Sequence, residues 1–207
     1  YVCHMTNANI VPLFSWCTVN YDLEWGHKGP FPPDLLRAES TGQQVGNYPY
    51  LVHGIFHQHP DVSIKPGRRA IPPEWGMRMV HEILRGGPRN SDVAMSMLER
   101  SVFGFGYGTE AVDVHNYWEA NPVLDVTPGN VKWILLSRSG EQSCRLLLQS
   151  WAKDPVTVKV SPRAGGSALE VGTPVWDAVA GERLHWSEDG MLQFRMQRPY
   201  GSRLLAS

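Results

Sequence analysis

The amino-acid sequence predicts an α/β part followed by an all-β part, and two patterns carry this prediction. Up to residue 121, apolar strand-like runs alternate with helix-like segments, which is the pattern of βα units on a parallel sheet. After residue 130, short apolar runs recur roughly every ten residues with turn signals between them, which is typical of an antiparallel β-sandwich. We therefore expect one domain over 1–121, a linker over 122–130 and a β-sandwich domain over 131–207.

The first part contains three strand signals and three helix signals. Strands are predicted over 10–16, 48–56 and 109–118, and helices over 32–44, 72–87 and 91–98. The first helix has a proline in its first turn and Asp34 near its positive end, and the second begins with proline and Glu74. Two glycines end the second helix, and Ser91 is a suitable N-cap for the third.

The second part reads as consecutive β-hairpins. The apolar runs V-K-W-I-L-L-S-R and S-C-R-L-L-L-Q-S-W flank the turn signal S-G-E-Q. Farther along, E-R-L-H-W-S and M-L-Q-F-R-M flank a turn at Asp189-Gly190, which is a strong short-range hairpin signal.

Composition and charge exclude some classes of partner. The chain has 207 residues, is 42% hydrophobic and 19% charged, and carries a formal net charge of -1, which is ordinary for a globular protein. No run of lysine and arginine marks it as a nucleic-acid binder, and no apolar run approaches the ~20 residues of a membrane span. The cysteines Cys3, Cys17 and Cys144 fit neither a disulfide framework nor a zinc motif, so we expect free buried thiols. Compartment and oligomeric state stay open.

Candidate site residues follow three predicted strands, at the points where the strands end. The carboxyl ends of parallel strands meet at one edge of a sheet, so these side chains are expected to lie together. A sugar ring packs its C–H face on an aromatic side chain, while its hydroxyls need fixed polar partners. The candidate catalytic carboxylates are Glu24 and Glu119, and the candidate substrate-binding residues are Asp22, Trp25, His57, His59, His115, Asn116, Tyr117 and Trp118.

Each of these residues also has a plainer interpretation. Asp22 and Glu24 are somewhat more typical of solvated loop charges, and Trp118 is equally typical of the rim of a core. The sequence leaves both interpretations open.

Three histidines in L-V-H-G-I-F-H-Q-H-P share one parity, so an extended chain would place His53, His57 and His59 on one face. An H-x-H pair on a strand can chelate a metal ion, but no glutamate follows at short spacing to complete the site. We favour a sugar-facing wall of His57 and His59 with His53 inside the sheet. No metal and no cofactor are therefore expected.

Several longer segments resemble a known group of enzymes. A strand ending in H-N-Y-W-E followed by a short linker and a β-domain is similar to the C-terminal half of barrel glycoside hydrolases. The segments 146–160, 174–182 and 199–206 look like the small β-sandwich that follows such barrels. The N-terminal runs C-H-M-T-N, N-Y-D-L-E-W and R-A-E-S-T-G-Q-Q-V-G-N-Y-P-Y resemble a bacterial glycoside-hydrolase-like group that stands near the N-acetylhexosaminidase-like barrels.

This resemblance implies the C-terminal portion of a (β/α)8 (TIM-type) barrel followed by a small antiparallel β-sandwich. A complete barrel needs about 250 residues, so residues 1–121 would supply only part of one. The chain also opens within an apolar segment and without methionine. We therefore expect a fragment, inactive alone, of a protein that acts on carbohydrate and whose main catalytic carboxylates lie elsewhere.

Two other functions remain open. One is a non-catalytic carbohydrate-binding or structural module, in which the aromatic residues bind a glycan without cleaving it. The other is a metal-dependent hydrolase built on the His53, His57 and His59 face.

Overall fold

A computed structural model provides the structure of the chain, and it describes the second half most completely. The described residues are 2, 3, 19–21, 33, 34, 37, 48–51, 80, 85, 86 and 99–207 except 139, 164–168 and 198–200. The chain divides into two compact units, one of Tyr1–Glu74 with His81–Met95 and the other of Trp75–Val80 with Ser96–Ser207.

In the first unit, four short strands form a parallel sheet in chain order. They are β1 (Val2–Cys3), β2 (Val19–Tyr21), β3 (Tyr48–Leu51) and β4 (Arg85–Gly86). The predicted strand over 48–56 contains β3, and residues 33, 34 and 37 of the predicted helix over 32–44 are helical. The helix predicted to run to residue 87 is wrong at its end, because Arg85 pairs with Tyr50 of β3 and Gly86 with Leu51. Glycine has a low helix propensity, so at Gly86 strand pairing is favoured over continuation of the helix.

In the second unit, a five-residue π-helical turn (Glu99–Phe103) precedes two antiparallel sheets. The six-stranded sheet has the order β11-β10-β13-β8-β7-β5, and the three-stranded sheet has the order β12-β9-β6. The strands are β5 (Val112–Asn116), β6 (Leu124–Thr127), β7 (Val131–Arg138), β8 (Cys144–Ser150), β9 (Val156–Pro162), β10 (Val175–Asp177), β11 (Glu182–Leu184), β12 (Leu192–Met196) and β13 (Ser202–Ala206).

The predicted portion of a (β/α)8 (TIM-type) barrel is wrong. Most of the described strands lie in antiparallel sheets, and no long helix occurs among the described residues. The decisive element is the segment 109–118, which we expected to be the last βα strand. It contains β5, the edge strand of the six-stranded sheet, whose Val112–Asn116 pair antiparallel with Ile134–Arg138 of β7.

The pattern of β5 explains this outcome. V-D-V-H-N alternates apolar and polar residues, and alternation is typical of antiparallel strands, whereas buried parallel strands are continuously apolar. Asn116 pairs with Ile134 and Val112 with Arg138, so the chain between them returns without a crossover helix.

The two sheets enclose an apolar core. In β12, Leu192, Phe194 and Met196 are buried while Gln193 and Arg195 between them are exposed, as the period of two requires. The core contains these three residues together with Leu124, Val131, Trp133, Leu135, Cys144, Leu146, Leu148, Val158, Val160, Leu169, Val175, Leu184 and Leu205. Each fully buried leucine contributes about 2 kcal/mol through removal of apolar surface from water.

The central strands β7 and β8 of the six-stranded sheet are buried on both faces. Trp133 and Leu135 face the core, and the residues that alternate with them, Ile134 and Leu136, are 0% exposed as well. On this second face, the guanidinium groups of Arg138 and Arg145 both pack on the Phe105 ring, at 4.9 and 4.7 Å from its centroid. Arg138 Nε also donates to the Phe105 carbonyl at 3.1 Å. The segment before β5 is thus packed against the sheet.

A buried carboxylate organises the turn between β10 and β11. Asp177 Oδ1 accepts hydrogen bonds from the backbone N–H groups of Val179 and Ala180, both at 2.9 Å. Asp177 Oδ2 lies 2.8 Å from Arg203 Nε on the neighbouring strand β13. Gly181, with φ 72°, closes the turn by donating to the Asp177 carbonyl at 2.8 Å.

The thiol of Cys144 is free and buried in the core. Burial raises its pKa, although a hydrogen bond from Ser207 Oγ at 3.2 Å acts in the opposite direction. The neutral thiol therefore behaves as a small apolar side chain. The other two cysteines lie among residues whose side chains are outside the described set.

Among the residues that the structure describes, no helix is long and apolar enough to span a bilayer.

Candidate functional site

The structure describes five of the ten predicted site residues. These five are consecutive, from His115 to Glu119, and they lie at the end of β5 and in the turn that follows it. The other predictions fall outside the described residues: Asp22, Glu24, Trp25, His57 and His59, together with His53 of the proposed metal face.

The turn after β5 is closed by Glu119. Its backbone N–H donates to the Asn116 carbonyl at 3.1 Å, and its side-chain Oε1 accepts from the Asn116 N–H at 2.6 Å. A carboxylate that binds a backbone N–H makes a charge-assisted hydrogen bond, which is stronger than a neutral one. The side chain of Glu119 is therefore folded back over the turn, which we call the β5 turn (residues 116–119).

The second oxygen of Glu119 faces an imidazole. His115 Nδ1 lies 3.7 Å from Glu119 Oε2, and the two side chains are 24% and 32% exposed. This separation is too long for a direct hydrogen bond but allows an ion pair when the imidazole is protonated. One carboxylate oxygen and the imidazole are thus available together at the surface.

Two aromatic rings complete the cluster, and they have different surroundings. The rings of Tyr117 and Trp118 meet edge to face, with centroids 4.8 Å apart. Tyr117 packs against the core, its N–H donates to the Trp133 carbonyl at 3.2 Å, and Lys132 Nζ lies 4.8 Å above its ring. Trp118, which like Tyr117 is partly exposed, does not belong to the core.

The sequence did not indicate the contribution of Lys132. Its position over Tyr117 results from the pairing of β5 with β7, a register that a single sequence does not specify. The alternation in V-D-V-H-N was the available signal, because it favours an antiparallel partner such as the strand that begins at Val131.

The chemistry of this cluster suits binding better than cleavage. Glycoside hydrolysis generally uses two carboxyl groups, roughly 5–9.5 Å apart, flanking the bond. Within the β5 turn Glu119 is the sole carboxylate, and one of its oxygens holds the backbone. An indole face, an imidazole and a fixed carboxylate oxygen are instead the groups that orient a bound sugar.

The described residues contain no group of three or more histidine, cysteine, aspartate or glutamate side chains that could hold a metal ion.

Comparisons with known proteins give a weak structural similarity and no family. No known protein family matches the chain, and no curated protein matches it either. Among solved structures, it is similar to an α-L-fucosidase, isoenzyme 2, from Paenibacillus thiaminolyticus, with a TM-score of 0.29 and 15% sequence identity. The similarity covers 41% of this chain and 15% of the fucosidase chain. This structural neighbour is a glycoside hydrolase, but at this TM-score the similarity supports no argument about fold or activity.

Proposed function

We propose that this protein binds carbohydrate, with the β5 turn as a contact site for a sugar ring. The observation that carries the proposal is the placement of His115 near the end of β5 with Trp118 and Glu119 in the turn that follows it. The indole of Trp118 would pack against the C–H face of the ring. Glu119 Oε2 and the imidazole of His115 would bind neighbouring hydroxyl groups.

The turn is suited to this role because it is held before any ligand arrives. The Asn116–Glu119 hydrogen bonds fix the backbone, and Tyr117 fixes the indole through its edge-to-face contact. A preorganised site loses little conformational entropy on binding, so more of the contact energy appears as affinity. The carbohydrate resemblance of the sequence points to the same class of ligand.

The proposal can be tested by calorimetric titration of the full chain with oligosaccharides of N-acetylglucosamine, fucose, galactose and xylose. We expect Trp118→Ala to weaken binding of the preferred sugar by about 2 kcal/mol, which is about thirtyfold in Kd, because a stacked aromatic is a typical binding hot spot. Glu119→Gln keeps the acceptor for Asn116 N–H but removes the charge, and we expect a smaller loss of affinity.

A matched control separates binding from folding. Glu188 is an exposed carboxylate in a different turn, so Glu188→Gln should leave the affinity unchanged. If Trp118→Ala binds each oligosaccharide as well as the unaltered chain does, the β5 turn is not the contact site.

A further inference from the structure

A second aromatic residue lies exposed on the six-stranded sheet, far from the β5 turn. Trp176 is the central residue of β10 and is 54% exposed, whereas its neighbours Val175 and Asp177 are 0% and 1% exposed. Because side chains alternate along a strand, Trp176 projects away from the core that Val175 joins.

An unpaired arginine lies beside this tryptophan. Trp176 pairs with Arg183 of β11, so the two side chains share one face with their Cβ atoms about 5 Å apart. Arg183 is exposed and makes no hydrogen bond or ion pair with any residue that the structure describes. On the other side, Trp176 pairs with Ala206 of β13, whose small side chain leaves the flank of the indole open.

The charges on this face are of one sign. Alternation places Glu182 and Asp177, which pair with each other, on the opposite face of the sheet. The next strand beyond Ala206 contributes Arg145, which pairs with Ala206 at about 10 Å from Trp176. Arg145 is itself held in place, because its guanidinium lies 4.7 Å from the Phe105 ring and donates to the Cys144 and Ser207 carbonyls. An anionic ligand on Trp176 would therefore meet the free guanidinium of Arg183 and no carboxylate from β10 or β11.

The backbone beneath this surface is held firmly. Asp177, next to Trp176, accepts two backbone hydrogen bonds and pairs with Arg203, which ties β10 to its turn and to β13. A rigid aromatic surface binds a flat partner with little loss of conformational entropy.

We infer that Trp176 and Arg183 form a platform that binds an acidic saccharide, one that carries a carboxylate on its ring. The C–H face of a uronic acid ring would stack on the indole, and its carboxylate would form a bidentate pair with the guanidinium of Arg183. This site is separate from the β5 turn, because three strands lie between β10 and β5, which are about 19 Å apart.

A single-stranded nucleic acid is the other ligand that combines ring stacking with negative charge. Such ligands are bound along a track of several cations that follows the backbone. The formal net charge of -1 and the one exposed arginine that the structure describes beside Trp176 favour a single acidic ring instead.

The test is titration of the full chain with an oligogalacturonate and with its methyl ester, which keeps the ring and removes the charge. We expect the acid to bind at least about tenfold more tightly than the ester, since a charge-assisted hydrogen bond is lost. Arg183→Gln should remove this preference, and Trp176→Ala should weaken binding of both ligands by about tenfold.

Two controls identify the site. Val171 is another exposed apolar residue, at 58%, and Val171→Ala should bind both ligands normally. Glu188→Gln, which lies outside both sites, should also leave oligogalacturonate binding unchanged. The β5 turn proposal fails if Trp118→Ala keeps the affinity for neutral oligosaccharides, and this one fails if Trp176→Ala keeps the affinity for oligogalacturonate, so the two failures are distinguishable.

The inference is overturned if the acid and the ester bind equally, if neither binds, or if Trp176→Ala behaves as Val171→Ala does. It is also overturned if an oligothymidylate binds more tightly than the oligogalacturonate and loses affinity on the same substitutions, which would identify a nucleic-acid site. Circular dichroism of both variants would confirm that they fold, which the exposure of Trp176 and Arg183 leads us to expect.

Discussion

Two turns border the six-stranded sheet, and each is held by a carboxylate that accepts backbone N–H groups. At the β5 turn, Glu119 binds one N–H group and faces a histidine, with its side chain 32% exposed. At the turn after β10, Asp177 binds two N–H groups and faces Arg203, with its side chain 0% exposed. The same device thus leaves one carboxylate oxygen accessible in the first turn and none in the second.

This difference teaches that burial decides what the carboxylate can do. A buried charge must be fully paired, so Asp177 is committed to the fold. A partly exposed carboxylate stays hydrated and can exchange a bound water for a ligand hydroxyl, so Glu119 is suited to ligand binding. The predictions below test this contrast.

The largest effect is expected at Asp177. Asp177→Ala leaves Arg203 without its carboxylate and two N–H groups without their acceptor, and the loss of one partner of a buried pair costs about 3–5 kcal/mol. Urea denaturation should show this decrease in the free energy of unfolding. A decrease no larger than that of the exposed control Glu188→Gln would remove the distinction between the two turns.

A smaller effect on stability is expected at Glu119. Glu119→Ala removes one partly exposed hydrogen bond, which costs about 1 kcal/mol, and leaves His115 accessible to water. The same denaturation experiment measures it. If Glu119→Ala destabilises the chain as much as Asp177→Ala does, the β5 turn is a structural element and its role in recognition is weakened.

The smallest effect on stability is expected at the exposed ion pair of Asp125 and Arg163 beside the three-stranded sheet. Asp125 extends the comparison to a carboxylate whose partner is a side chain and not a turn backbone. The side-chain hydrogen bond from Arg163 lowers the pKa of Asp125. When the pKa of a carboxyl group is lower in the folded state than in the unfolded state, its ionised form stabilises the protein at pH values above the unfolded-state pKa. This contribution is lost as the pH falls through the folded-state pKa. The unaltered chain should therefore be slightly more stable than Asp125→Asn at neutral pH, and the difference should begin to decrease at about pH 4 and vanish once the pH is below the lowered pKa of the folded state.

Salt provides the check on that last pair. Both side chains are about half exposed, at 53% and 47%, so their attraction is screened by solvent and ions. A difference between Asp125→Asn and the unaltered chain that persists in molar salt or in acid would show that the pair acts by something other than charge.

The sequence predicted local elements well and their partners poorly. The hairpin of β7 and β8 was predicted from two apolar runs around a short turn, and the structure pairs Val131–Ser137 with Cys144–Ser150. The Asp189-Gly190 signal also marks a turn, with Gly190 at φ 70° and the Ser187 carbonyl accepting from the Gly190 N–H. Such features depend on residues close in sequence. The hairpin predicted around Asp189-Gly190 is wrong in its strands, because β11 and β12 lie in different sheets and an isolated bridge joins Trp186 to Leu192.

The rest depends on residues far apart. Periodicity showed that 109–118 contains a strand but did not show that β5 pairs with β7 rather than with a parallel neighbour. The buried pair of Asp177 and Arg203 forms only once β10 lies beside β13. In the same way, the five described candidate residues stay a prediction as a site, and the sheet to which we assigned their strand was wrong.

The strands of the second unit alternate between its two sheets along the chain, and this alternation has a consequence for folding. Each strand of the three-stranded sheet is preceded and followed in sequence by strands of the six-stranded sheet. Thus β6, β9 and β12 have no sequence neighbour to pair with, and the loops between them must close first. Neither sheet can be completed while the other is absent, so the β unit is expected to fold slowly and in one cooperative step, as high contact order dictates.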